Sequence, residues 1–318
     1  MDPELAAVVP LIPDLAFDDL DQTRRIVEEL VRNLDVDLSG VQVEDRTIPG
    51  VGCDVPIRIF SPADRVEERP GVMSIHGGGF ALGPMTLDDG ANAAIAREVG
   101  VVVVSVDYRL APEHPFPAAA DDCYATLEWM YEKGSEVGIN PAHLAVLGSS
   151  AGGGLAATTA LFARDRGGPR LAVQVLLEPE LDDRLQTHSM RRGRHTVAWS
   201  STLAALSWKY YLGGIGTPPL HAVPARTEDL SGLPPAYVSV NELDCLRDEG
   251  LEYAARLLQA EVPTEIHCWP GAFHSFHSVL PAAGISRRAS AAVHGVLRRA
   301  LLVGRSEASE TVFDGRHA

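Results

Sequence analysis

Positive charge is scarce in this chain. Its 27 lysines and arginines face 43 aspartates and glutamates, a formal net charge of −16. A polyanionic partner, whether a nucleic-acid duplex or an anionic membrane surface, needs a basic face to bind. The balance therefore excludes both and favours neutral small molecules. Cysteine is scarce too: Cys53, Cys123, Cys245 and Cys268 are too few for a disulfide framework in 318 residues and too widely spaced for a short metal-ligand pair. That usage points to a reducing compartment. The opening Met1-Asp2-Pro3-Glu4 lacks the basic start of a secretory signal, and the densest apolar run, Val99 to Val106, is far shorter than the ~20 residues that cross a bilayer. A cytoplasmic protein without membrane insertion is expected. Internal repeats and low-complexity tracts are also missing.

What the chain has is apolar mass, 46% hydrophobic residues against 22% charged, the composition of a globular protein with a sizeable core. Its length is near the limit of one core, which predicts a large domain carrying an insertion or cap rather than two equal domains. Residues 14 to 35 place Leu20, Ile26, Val27, Leu30 and Val31 at near-helical spacing, an amphipathic N-terminal helix. From Val41 to Phe60 the period falls to two, with Val55, Ile57 and Ile59 on one face, so strands begin. Apolar strand candidates follow at Val72 to Ile75, Val101 to Val106, Leu144 to Leu147, Leu171 to Leu177, Tyr237 to Val240 and Thr264 to Trp269. Helical stretches such as Asp121 to Lys133 and Asp248 to Gln259 separate them. This alternation predicts an α/β fold, a mainly parallel sheet flanked by helices on both faces.

Between Leu181 and Pro235 the alternation stops. This interval holds Trp199, Trp208, Tyr210 and Tyr211, and an aromatic-bearing insertion between sheet strands is a candidate lid over a pocket. A peripheral helical layer that merely packs is the alternative. The expected division is a sheet domain over 46–180 and 236–305, a helical cap from 1–45 and 181–235, and a loosely ordered tail over 306–318.

Gly148-Ser149-Ser150-Ala151-Gly152 follows the strand candidate Leu144 to Leu147 and opens a small-residue helix, Gly153 to Ala163. A nucleophile elbow needs this context, because the strand-to-helix turn tolerates only small neighbours around an exposed serine. The G-x-S-x-G spacing selects Ser150 over Ser149. Gly152, Gly154 and Ala157 also fit a dinucleotide-binding G-x-G-x-x-A with Glu178 after the next strand, a weak match that leaves Ser150 unexplained. His76-Gly77-Gly78-Gly79 directly follows the strand Val72 to Ile75. Consecutive glycines let backbone N–H groups approach a substrate oxygen, as an oxyanion hole requires, although alone they would read as a flexible turn.

A serine nucleophile needs an imidazole base, and the base an orienting carboxylate. Asp244 and His274 lie just past the strands Tyr237 to Val240 and Thr264 to Trp269, where an α/β sheet places its site. Glu242, Asp182 and Asp183 are rival acids. His277 and His267 are rival bases, His267 falling inside a strand pattern and His277 three residues deeper.

Four strings in order resemble the hormone-sensitive lipase-like family of carboxylesterases: His-Gly-Gly-Gly-Phe at 76–80, Asp-Tyr-Arg-Leu-Ala-Pro-Glu at 107–113, Gly-Ser-Ser-Ala-Gly-Gly at 148–153 and Leu-Arg-Asp-Glu-Gly at 246–250. The strings at 178–184 and 207–213 look closest to a bacterial branch of it. The resemblance implies an α/β-hydrolase fold with a helical cap. It places Ser150, Asp244 and His274 at the catalytic triad positions and Gly78, Gly79 and Ala151 at the oxyanion-hole positions. Arg109 and Glu113 then read as structural ion partners. The sequence departs from the family at Cys245, which replaces a proline, at Ser149 and Ser275, and at Glu178, where an aromatic residue is common.

The resulting expectation is ping-pong hydrolysis of small, short-chain acyl esters through an acyl-enzyme, with no metal or organic cofactor. A non-catalytic ligand-binding protein on the same fold is the alternative. Exposed apolar helices would suit a homodimer.

Overall fold

The computed structural model describes residues 1–13, 17, 19–64 and 68–302, so the tail assigned to 306–318 lies outside the described residues. Val-, Ile- and Leu-rich segments build a sheet of eight strands: β1 (Val41–Pro49), β2 (Asp54–Pro62), β3 (Arg69–Ile75), β4 (Val102–Val106), β5 (Ile139–Ser149), β6 (Leu171–Leu177), β7 (Ala236–Asn241) and β8 (Thr264–Trp269). Their order is β1-β2-β4-β3-β5-β6-β7-β8. β2 runs antiparallel to β1 and β4, and every other neighbouring pair is parallel. β3 and β4 are buried along their whole length, which explains why they read as apolar segments interrupted only by small polar residues such as Ser74 and Ser105. β2 has one face covered and keeps the period-two signal, with Val55, Ile57 and Ile59 inward.

Ten α-helices accompany the strands among the described residues: α1 (Pro3–Val8), α2 (Leu20–Arg32), α3 (Asp89–Ile95), α4 (Ala118–Lys133), α5 (Ala151–Asp165), α6 (His188–Arg192), α7 (Ser201–Leu212), α8 (Arg247–Gln259), α9 (Phe276–Val279) and α10 (Gly284–Leu302). α4, α5 and α8 fill one face of the sheet with Leu127, Leu155, Leu161 and Leu257. α3 and α10 cover the other through Ile95, Val293 and Leu297. The N-terminal helix expected over 14–35 is realised as α2, a shorter element.

The N-terminal segment and the 181–235 insertion meet each other. Phe17 packs edge-on against Trp199 at 5.3 Å, and the Tyr210 hydroxyl donates to the Phe17 carbonyl at 2.8 Å. Two ion pairs fasten this layer and the long string 107–113. Arg24 of α2 holds Glu113 in a two-pronged pair at 2.7 and 2.8 Å and also donates to the carbonyls of Ala81 and Ala111. Arg109 donates to Asp122 of α4, whose buried carboxylate also accepts the Arg109 backbone N–H at 2.9 Å. Arg109 and Glu113 thus have the structural partners expected of them. Replacing Asp122 with Ala strands the half-buried guanidinium and one amide, so a loss of about 2 kcal/mol in urea unfolding is expected, with an unchanged midpoint the contrary result.

Candidate active site

The parallel strands end together on one side of the sheet, and the chemistry-bearing residues sit on the loops that leave them. Between β5 and α5 the chain turns so sharply that Ser150 takes φ 57° and ψ −122°, a conformation rare for a residue with a side chain. Two residues to either side of it only glycine fits. A Cβ on Gly148 would lie 2.0 Å from the Gly152 carbonyl oxygen, and one on Gly152 would lie 2.1 Å from that of Ile75. The turn is pinned by the Ser150 N–H donating to Leu177 at 2.8 Å and by the Glu180 N–H donating to the Ser150 carbonyl at 3.0 Å.

This turn places Ser150 Oγ 2.9 Å from His274 Nε2, and His274 Nδ1 lies 2.6 Å from Asp244 Oδ2. All three side chains are buried. With Nδ1–H donating to the carboxylate, Nε2 is the free acceptor for the serine proton. Burial draws the His274 pKa down, but the charge and hydrogen bond of Asp244, helped by Glu178 and Glu180, raise it above the ordinary histidine value on balance. Such an arrangement can take a proton from the serine and hold it.

The rival residues are engaged elsewhere. Glu242 is exposed and accepts the Gly271 N–H, Asp182 pairs with Arg184, and Asp183 pairs with Arg226. His267 lies flat against Trp269 at 3.8 Å. Ser149 donates its hydroxyl to Glu178 at 2.8 Å, so it faces away from the base.

Gly78 and Gly79 adopt φ values of 117° and 57°. A Cβ on Gly78 would come 2.1 Å from the Leu82 carbonyl oxygen, so glycine is required for the loop to close. Among the described residues neither of their N–H groups is spent on a backbone carbonyl, and Ala151 begins α5, where the first N–H groups have no intrahelical acceptor. The loop is braced from behind by His76, fully buried, stacked on Tyr108 at 4.3 Å and bonded through Nδ1 to the Gly77 carbonyl.

A cleft of about 460 Å³ opens over Ser150 and His274. Val27, Leu30 and Val31 of α2, with Leu34 just past its end, form one wall, and Trp199 of the insertion reaches in, its ring 5.8 Å from that of His274. Sequence reasoning singled out Trp199 as an insertion aromatic without its place beside the base. It also passed over two acids, Glu180, which is buried, and Asp88, which is half-buried. Glu180 is pushed up to about 8 by burial. Asp88, which lines the cleft, is pushed up to about 6 by burial against the pull of His277.

The family model described as the alpha/beta hydrolase fold matches residues 72–278, most of the chain, with Ser150, Asp244 and His274 inside the match. The chain belongs to that family. Among solved structures, it is similar to bacterial heroin esterase, with 44% identity, a TM-score of 0.92, and 95% of this chain and 98% of that one covered. It is also similar to the esterase LipW from Mycobacterium marinum, at 39% identity and a TM-score of 0.89 over 95% and 96% of the two chains. Esterase LipI of Mycobacterium tuberculosis is 37% identical over 294 residues, 89% of this chain and 91% of that protein. The α/β-hydrolase fold and the carboxylesterase resemblance read from the four strings therefore hold.

Proposed function

We propose that the protein is a serine carboxylesterase acting on small, short-chain acyl esters. The observation that carries this reading is the continuous chain of hydrogen bonds from Ser150 Oγ through His274 to Asp244, facing unspent backbone N–H groups. His274 Nε2 takes the serine proton as Oγ adds to the ester carbonyl, and the oxyanion is held by the N–H groups of Gly78, Gly79 and Ala151. The imidazolium then protonates the departing alkoxide, leaving an acyl-serine. Water, deprotonated by His274, attacks the acyl carbon and releases the carboxylic acid with the serine restored. Asp244 keeps the imidazole in the working tautomer throughout. Its relatives' names support the same chemistry.

The segments 1–45 and 181–235 act as the cap, since α2 and Trp199 together wall the cleft. No helix among the described residues is long and apolar enough to cross a membrane. The test is a fluorophosphonate probe combined with p-nitrophenyl esters from acetyl to dodecanoyl. A covalent adduct on Ser150 and a turnover maximum among the short acyl chains are expected. Because the base must start unprotonated, kcat/KM rises with pH through the pKa of free His274, so the acid limb lies above the ordinary histidine value. No adduct, together with tight reversible ester binding and no turnover, would return the protein to the ligand-binding alternative.

A further inference from the structure

Glu178 stands where β6 ends, 1% exposed and with φ 33°, a left-handed backbone that residues with side chains seldom adopt. Both of its carboxylate oxygens are occupied. Oε1 accepts from Ser149 Oγ and from His277 Nε2, each at 2.8 Å, and Oε2 accepts from Asn241 Nδ2 at 3.3 Å. The three donors sit on three separate segments, the ends of β5 and β7 and the helix α9, and each is within three residues of one member of the Ser150–His274–Asp244 set. Ser149 directly precedes Ser150, Asn241 lies three residues before Asp244, and His277 three after His274. One buried side chain thus connects the nucleophile turn, the acid loop and the base loop, which otherwise belong to β5, β7 and β8.

Burial alone would push the Glu178 carboxyl up, but the positive charge and hydrogen bond of His277, then His274 and Ser149, hold it down at about 2. Burial likewise draws His277 down, and Glu178, with Asp88 on its other side, raises it on balance. Each of the two groups therefore favours the charged form of the other. A buried ion pair is a weak source of net stability compared with apolar packing of the same volume, so fold stability is a poor account of this group. Its three bonds offer a better one, because a serine and an imidazole must be held within about 0.5 Å of the reactive geometry.

We propose that Glu178 is a positioning residue for ester hydrolysis, a single hub whose hydrogen bonds hold the three loops in register. The proposal rests on Ser150, His274 and Asp244 being the reacting set. It does not require the charge itself. A glutamine at 178 can keep the Ser149 and His277 bonds through its carbonyl, and a flip of the Asn241 amide would offer that residue's oxygen, otherwise unpartnered, to the new NH2 group.

Glu178→Ala and Glu178→Gln are compared on p-nitrophenyl acetate, with fluorophosphonate labelling of the unsubstituted enzyme as the control. In Glu178→Ala, kcat falls about 100-fold, the scale of an ångström-level misplacement. KM stays within about twofold, because the cleft walls are untouched. Glu178→Gln restores kcat to within about fivefold of the unsubstituted enzyme. A variant lacking Glu178 with undiminished kcat overturns the proposal, and so does a glutamine variant as impaired as the alanine one. If Glu178→Ala does not fold, Ser149→Ala removes one spoke alone, and there an unchanged kcat is decisive against the hub. Failure of the unsubstituted enzyme to label or turn over would instead sink the esterase reading.

Discussion

Replacing Ser150 with Ala lowers kcat for p-nitrophenyl acetate by about 10⁵-fold or more, since neither base nor oxyanion donors can act without an attacking oxygen. The fold survives. Alanine carries the same Cβ through the strained turn at φ 57°, and the backbone bonds from Ser150 to Leu177 and Glu180 do not involve the hydroxyl. Unfolding free energy should change by less than about 1 kcal/mol. The measurement is therefore a rate paired with a melting curve: lost turnover with an unmoved transition supports the nucleophile, and retained turnover removes it. Ser149 cannot stand in, because its hydroxyl is committed to Glu178.

The second large effect is expected at the acid. In Asp244→Asn the amide can present its NH2 group to His274 Nδ1, turning the imidazole to the tautomer whose Nε2 carries the proton and cannot accept one from Ser150. A loss of about 10³ to 10⁴ in kcat follows. KM need not change, because Asp244 lies on the far side of the imidazole from the serine. Asp244 is also the anion that does most to raise the His274 pKa, so whatever activity remains should persist to lower pH than in the unsubstituted enzyme. Near-normal activity in this variant would transfer the role to another carboxylate. Glu242 is poorly placed for that, being exposed and bound to the Gly271 N–H.

The fold was largely legible because its signals are local. Dense apolar segments marked the buried strands, period two marked β2, and five residues sufficed to announce the turn after β5. Where polar residues interrupt a strand the signal failed: β5 begins at Ile139, but Asn140, Pro141 and His143 conceal its first half. α10 was passed over although Ile285, Ala289, Val293 and Leu297 recur every four residues, because arginines and serines fill the intervals. Ser150, Asp244 and His274 could be nominated from strand ends and from resemblance. The Glu178–His277 contact could not, since it joins residues 99 positions apart through a side chain whose direction depends on an unusual backbone angle. The wall contributed by α2 was hidden for a similar reason: periodicity shows that a helix has an apolar face, never what that face looks at.

β8 carries consequences of its own. It is an edge strand, paired on one side only with β7, and much of its surface is open to solvent. The serine turn, by contrast, leaves β5 in the middle of the sheet, with β3 and β6 on either hand. Opening of an edge costs less free energy than opening of a centre, and the base hangs from the edge. Partial fraying of that border therefore separates imidazole from hydroxyl while the middle of the molecule stays intact, so chemical competence is the more fragile property of this enzyme and its architecture the more durable.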